Sequence, residues 1–209
     1  MKKKYNYVVI GAGIVGLSTA YELFKLNKGR ILVIEKESDI NYHQTGRNSG
    51  VLHSGIYYKS GSKKLKTCLE GYDLMLSFLK NNDIPYKITG KLIVASNKKE
   101  AIELNKLKIN AELSKIDFKY LDKEAIKKFD KRIKGESALF IKKTGLTDYK
   151  LVTKKLKELL TSSGVDIIYN TSVKKYTPKT KEMIFSDNQK IISEYFVNCA
   201  GMNSDEVFE

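Results

Sequence analysis

Gly11-Ala12-Gly13-Ile14-Val15-Gly16 sets three glycines at the spacing G-x-G-x-x-G, and Glu35 follows 19 residues beyond Gly16. Bare backbone in such a turn lets a pyrophosphate approach peptide N–H groups. A helix that starts there adds unpaired N–H groups and a partial positive charge. The first glycine permits the tight turn, the second admits the phosphates, and the third lets helix and strand pack closely. A carboxylate ending the next strand accepts both ribose hydroxyl protons of an adenosine and disfavours a 2′-phosphate. The chemistry indicated is dinucleotide binding, with Gly11, Gly13, Gly16 and Glu35 as contacts.

A glycine triplet is informative only between a strand and a helix, and that context is present. Tyr5–Ile10 is a continuous apolar run, as in a strand buried on both faces of a parallel sheet. Ile14–Leu26 switches to helical period, with Val15, Leu17, Ala20, Leu23, Phe24 and Leu26 as its apolar stripe and Lys28-Gly29 as its stop. Arg30–Glu35 reads as the second buried strand, completing a βαβ unit. A polar loop from Lys36 to Gly61 then holds both histidines, His43 and His53. Loops of this length usually carry function. Nicotinamide enzymes usually continue with further βα repeats, so this polar loop favours a flavin dinucleotide.

Downstream, the pattern predicts a helix from about Ser62 to Asn81, a break at Pro85, a strand at Lys91–Ala95 and a helix over Lys98–Lys115. Residues 117–142 are mixed, ending in the apolar piece Ala138–Ile141, and Tyr149–Ser163 is an amphipathic helix capped by Gly164. Three short strands are expected near 166–176, 182–186 and 190–198. The order is α/β throughout.

The 209 residues, 42% hydrophobic, are enough to bury a core without disulfide or metal staples. Cys68 and Cys199 form no CxxC pair, so a reducing cytoplasm is the default, and no His/Cys/Asp cluster has metal-ligand spacing. The net charge of +14 is spread out: residues 1–60 contribute +5 and the rest +9. Without a nucleic-acid-binding signature, that charge reads as solvated lysine, and no nucleic-acid partner is expected. Met1-Lys2-Lys3-Lys4 before an apolar run mimics a signal peptide, but the glycine turn lies inside the run. No stretch reaches the roughly 18 apolar residues of a membrane span.

The run from His43 through Thr45-Gly46-Arg47-Asn48-Ser49-Gly50-Val51-Leu52-His53 to Tyr57-Tyr58-Lys59 resembles the flavin-contacting segment of L-2-hydroxyglutarate oxidases and dehydrogenases. These are a branch of the D-amino-acid-oxidase-like FAD enzymes. Similar pieces follow in order: Ile84-Pro85-Tyr86 with Gly90–Ala95, Thr144-Gly145-Leu146-Thr147-Asp148-Tyr149, and Val197-Asn198-Cys199-Ala200-Gly201. The resemblance spans essentially the whole chain. Ser60 departs from a frequent proline, and family members run to roughly twice this length, which implies the N-terminal half of the family fold.

The resemblance implies a Rossmann-like FAD-binding domain, discontinuous over 1–84 and 143–209, with 85–142 as the start of an inserted α+β substrate domain. It implies that Thr45, Ser49, Gly50 and Val51 line the pyrophosphate and ring. Val173, in the strand after the Gly164-capped helix, would meet the adenine, while Ala200 and Gly201 would approach the flavin chain. The expected reaction oxidises a 2-hydroxy acid to a 2-oxo acid. His53 is the candidate base, since an imidazole with a pKa of about 6.5 exchanges protons at neutral pH; a structural or flavin-packing histidine is the alternative. His43 reads as structural. A five-carbon diacid needs at least two cationic or hydrogen-bonding groups, for which Arg47, Tyr57, Lys59 and Lys91 are candidates. Lys91 could instead be a surface lysine, and Arg47 could face the pyrophosphate. Oxygen or a quinone as electron acceptor and a peripheral membrane contact stay open. So do a noncatalytic dinucleotide-binding fragment and a flavin oxidase of glycerol 3-phosphate or an amino acid.

Overall fold

The computed structural model describes residues 3–208. The chain divides into two compact units, one made of the residues up to Ser49 and from Tyr149 onward, the other of Gly50–Asp148.

The first unit is built on a six-stranded sheet. Strand β1 (Lys3–Ile10) leads through the glycine turn into helix α1 (Ile14–Lys25) and then β2 (Ile31–Ile34). Helix α5 (Tyr149–Ser162) precedes β9 (Asp166–Ile168), β10 (Val173–Thr177), β11 (Glu182–Phe185) and β12 (Lys190–Asn198). The order is β10-β11-β12-β1-β2-β9. Strands β12, β1, β2 and β9 run parallel, and β10 and β11 join β12 as an antiparallel meander. Val8 and Ile10 share one core with Leu32, Ile34, Met183 and Phe185, while the alternate residues Val9 and Val33 are equally buried. Both faces are therefore covered, as the unbroken apolar runs require.

Ile10 pairs with Ile34 on one side and Asn198 on the other, and Ile34 pairs with Ile168. The carboxyl ends of all four parallel strands thus finish on one edge. Ligands of open α/β sheets bind at such an edge.

Three expectations need correction. Helix α1 buries only Gly16, Leu17 and Ala20, whereas Val15 is 64% exposed and Phe24 and Leu26 are also on the surface. The buried stripe is narrower than the hydrophobic one because a helix on a sheet presents only one contact line. The helix also stops at Lys25, earlier than Lys28-Gly29, because Asn27 already takes a left-handed backbone with φ 50°. Finally, the strand expected over 166–176 is two strands, β9 beside β2 and β10 on the opposite side of the sheet.

The second unit holds two three-stranded sheets. Strands β3 (Val51–Leu52), β8 (Gly145–Thr147) and β4 (Tyr86–Ile88) form one; β5 (Lys91–Ala95), β7 (Ser137–Ile141) and β6 (Phe118–Asp122) form the other. Helices α2 (Lys63–Asn81), α3 (Lys98–Leu113) and α4 (Lys123–Phe129) complete it, their N-termini capped by the side chains of Ser62, Asn97 and Asp122. The mixed stretch 117–142 resolves into β6, α4 and β7. Among the described residues no helix is long and apolar enough to cross a membrane.

Candidate functional site

The first candidate site lies where β1 turns into α1. Gly11 has φ +102°, and a Cβ there would stand 2.5 Å from the Cys199 carbonyl oxygen. A Cβ on Gly16 would fall 1.8 Å from the Gly11 carbonyl oxygen. Both glycines are fixed by the protein's own packing. Gly13 differs: a Cβ there would touch only Thr45 Oγ1, at 3.2 Å. Its freedom from a side chain therefore keeps space open at the helix N-terminus.

Gly13 is the N-cap of α1, and no side chain on it caps the helix. The Ile14 amide donates to Thr45 Oγ1 at 3.0 Å, so the loop after β2 folds back over the start of α1. That loop is pinned from α5, where Thr153 Oγ1 donates to Asn41 Oδ1 at 2.8 Å. A Cβ on Gly46 would meet the Asn41 carbonyl oxygen at 1.9 Å, which keeps the chain close there.

Glu35, 9% exposed, follows β2 on the same edge. Its Oε2 accepts the Ala12 amide hydrogen at 2.7 Å and its Oε1 that of Glu37 at 3.1 Å. Each carboxylate oxygen has two lone-pair directions, so one per oxygen remains for a ribose hydroxyl. The carboxylate does more than the sequence suggests, because it also braces the glycine turn.

Two segments border this corner. The Cys199 amide donates to the Ile10 carbonyl at 2.8 Å and brings Ala200 against β1. Gly201 has φ +63°, and a Cβ there would meet nothing within 4 Å. The Thr171 amide donates to the Glu35 carbonyl at 2.9 Å, so the link from β9 to β10 passes Glu35 before Val173 opens β10. Val173 follows Thr171 by two residues and opens the second strand after α5, not the first. A turn cleared at Gly13, a bracing acid with spare acceptor capacity and an open side at Gly201 fit the adenosine pyrophosphate of a dinucleotide.

Ser49 closes the first segment of this unit, and Arg47 and Ser49 are both exposed. Gly50 and Val51 open the second unit. Gly50 has φ +68°, and a Cβ would meet the Thr147 carbonyl oxygen at 2.4 Å; Val51 pairs with Leu146. His43 is tied to Glu37, Nε2 to Oε1 at 2.8 Å.

The second candidate site lies wholly in the second unit. His53, Ser54, Gly55, Ile56, Tyr57, Tyr58, Lys91 and Thr144 line a pocket of about 90 Å³. Lys91 Nζ stands 4.5 Å from the centre of the Tyr57 ring, a cation–π contact that holds the ammonium at the wall. His53, Tyr57 and Lys91 are therefore brought together. Lys59 is exposed and lies outside the lining, and Tyr58 turns its ring to Lys64.

The pocket loop is shaped from two helices. A Cβ on Gly55 would meet Leu65 Cδ1 at 2.8 Å, so the loop runs tight against α2. Asn110 of α3 donates from Nδ2 to the carbonyls of Ile56 at 3.2 Å and Tyr58 at 2.9 Å, and its Oδ1 accepts the Ser60 amide hydrogen at 3.0 Å. Sequence reasoning missed Asn110, because one asparagine in a lysine-rich helix carries no local signal. It quoted Thr144 only as the start of the run Thr144–Tyr149 and gave it no role of its own.

The family model "FAD dependent oxidoreductase" matches residues 6–209. The chain is 35% identical over 206 residues to an L-2-hydroxyglutarate dehydrogenase of Indibacter alkaliphilus, covering 97% of this chain and 52% of that protein. It is 37% identical over 214 residues to a mitochondrial L-2-hydroxyglutarate dehydrogenase of Caenorhabditis briggsae, covering 98% and 49%. The chain spans about half the length of these relatives. Among solved structures, an FAD-bound L-α-glycerophosphate oxidase of Mycoplasma pneumoniae superposes with TM-score 0.88 at 24% identity, covering 98% of this chain and 56% of that one. A glycine oxidase of Geobacillus kaustophilus also reaches 0.88, at 17% identity, covering 98% and 57%. At these identities the two structures share the fold alone. On the family match and the fold together, the chain belongs to the FAD-dependent oxidoreductase family.

Proposed function

We propose that this chain serves the oxidation of L-2-hydroxyglutarate to 2-oxoglutarate. The observation that carries this substrate is the similarity to L-2-hydroxyglutarate dehydrogenases over nearly the whole chain. In this reading residues 1–84 and 143–209 belong to the FAD-binding domain and 85–142 to the substrate domain.

FAD, when bound, supplies a two-electron acceptor for the hydride that leaves C2 of the substrate. The amides at the start of α1 stabilise the pyrophosphate, and Glu35 accepts from the ribose. Thr45, Ser49, Gly50, Val51, Ala200 and Gly201 border the remainder of the cofactor, and the backbone at Val173 borders the adenine. His53 takes the hydroxyl proton as the C2–H bond breaks, so the substrate's two electrons and two hydrogens are accounted for. Lys91 pairs with one carboxylate, and Tyr57 both holds Lys91 and offers a hydroxyl. Arg47 and Lys59 supply positive charge toward the second carboxylate. Electrons then pass to oxygen or a quinone, in the cytoplasm, free or against a membrane surface.

The test is direct. The purified chain, loaded with FAD and mixed with L-2-hydroxyglutarate in the absence of oxygen, loses the yellow flavin absorption. Unchanged absorption at saturating substrate removes the catalytic reading. That outcome would favour a noncatalytic dinucleotide-binding role.

A further inference from the structure

Thr144 is 4% exposed, and its Oγ1 is closed from solvent with no hydrogen-bond partner among the described residues. Leaving a hydroxyl buried and unpaired is unfavourable, so such a group commonly answers to something outside the protein. Thr144 lines the same pocket as Lys91, His53 and Tyr57.

Its position is fixed on both sides. The Gly90 amide donates to the Thr144 carbonyl at 2.9 Å, one residue before Lys91. Gly90 itself has φ +72°, and a Cβ there would stand 2.3 Å from Phe140 Cζ, so the approach of the chain to Lys91 has little freedom. On the other side, Gly145 begins the central strand of its sheet, paired with Leu52 and Ile88. The backbone of Thr144 is thereby tied to that of the residue preceding Lys91, and Tyr57 restrains the lysine head.

We propose that Thr144 is a substrate-binding residue, whose hydroxyl donates a hydrogen bond to the carboxylate that pairs with Lys91. A carboxylate only accepts hydrogen bonds, and a threonine hydroxyl and an ammonium are both donors. The pair selects an acid over its amide or ester. Thr144 is among the residues that line the pocket, and its hydroxyl is shielded from bulk solvent. This inference rests on the reading of the pocket as the site of the substrate.

The experiment is calorimetric titration of the FAD-loaded chain with L-2-hydroxyglutarate and with glutarate, a dicarboxylate lacking the oxidisable hydroxyl. Thr144→Val keeps the shape and removes the unpaired hydroxyl. It should weaken both ligands about tenfold, leave FAD affinity unchanged, and keep or raise the melting temperature. Thr144→Ser should stay within about threefold of wild type, and Thr144→Ala provides a second truncation. Wild-type affinity in both Thr144→Val and Thr144→Ala overturns the inference. If Lys91→Met abolishes binding while those two variants bind normally, only the role of Thr144 falls. If the wild-type chain binds neither acid, the reading of the pocket falls, and this inference with it.

Discussion

Glu35 Oε2 accepts the Ala12 amide hydrogen at 2.7 Å, so the acid that ends one strand braces the glycine turn that ends its neighbour. The other carboxylate oxygen is anchored by the Glu37 amide. The acid is therefore held at the nucleotide edge by two backbone donors, and its position does not depend on a ligand.

Glu35→Gln should expose that double duty. One carboxylate oxygen becomes an NH₂ group that confronts an amide donor, and the charge that discriminates against a 2′-phosphate is lost. Affinity for ADP-ribose should fall about tenfold or more, since hydrogen bonds to charged groups are worth about 1.5–3 kcal/mol. Titration calorimetry checks this, and an unchanged affinity would remove Glu35 from the site.

The glycines should separate into two kinds. Gly16→Ala places a methyl 1.8 Å from a backbone oxygen, so it should cost more than about 3 kcal/mol or prevent folding. Gly13→Ala meets only Thr45 Oγ1 at 3.2 Å and should cost about 1 kcal/mol at most. Its nucleotide affinity should nevertheless drop at least about tenfold, which corresponds to about 1.4 kcal/mol. Thermal melts and nucleotide titrations on the same two variants decide the matter.

Asn110→Ala removes three hydrogen bonds to the backbone of residues 56–60. The expected result is faster amide hydrogen exchange in that segment, with β5 and β7 still protected. A loss of roughly 2–4 kcal/mol of local stability is expected from leaving those groups without a partner. Uniform acceleration across the second unit would instead mean that Asn110 supports the whole unit.

The opposite edge of the parallel sheet predicts the pH dependence. Tyr5 donates to Asp166 Oδ2 at 2.7 Å, and Arg30 donates to the same oxygen at 3.1 Å. Burial, and then the Asp166 hydrogen bond, push Tyr5 up to about 12. The Tyr5 hydrogen bond, against a smaller opposing effect of burial, holds Asp166 below its ordinary 3.8. The tyrosine contribution is complete below its unfolded value of about 10 and is lost as pH rises through its folded value. The aspartate contribution is complete above about 3.9 and is lost as pH falls through its folded value. Tyr5→Phe should flatten the alkaline limb of a stability-against-pH curve, and Asp166→Asn the acid limb.

The nucleotide corner was legible because its signals are local. A buried strand, three glycines and an acid each declare themselves within 35 residues, and the structure places them on one edge. The stretch 117–142 hid β6 and α4 because each is seven residues or fewer, while β7, buried on both faces, showed only as the apolar piece Ala138–Ile141. The break between β9 and β10 falls at the polar run Asn170-Thr171-Ser172, where Asn170 takes φ 52°, too short an interruption to separate two strands by pattern alone. The pocket was half legible. His53, Tyr57 and Lys91 stand out by residue type, whereas Asn110 and Thr144 matter through contacts 50 or more residues away in sequence.

Titration of the chain with ADP-ribose, which carries the adenosine pyrophosphate without a flavin ring, tests the central claim most directly. Saturable binding at a single site, displaced by FAD and at least about tenfold weaker for the 2′-phosphorylated analogue or for Gly13→Ala, is the result expected. No binding, or equal affinity across the analogue and the variant, would contradict the assignment of this corner to a dinucleotide.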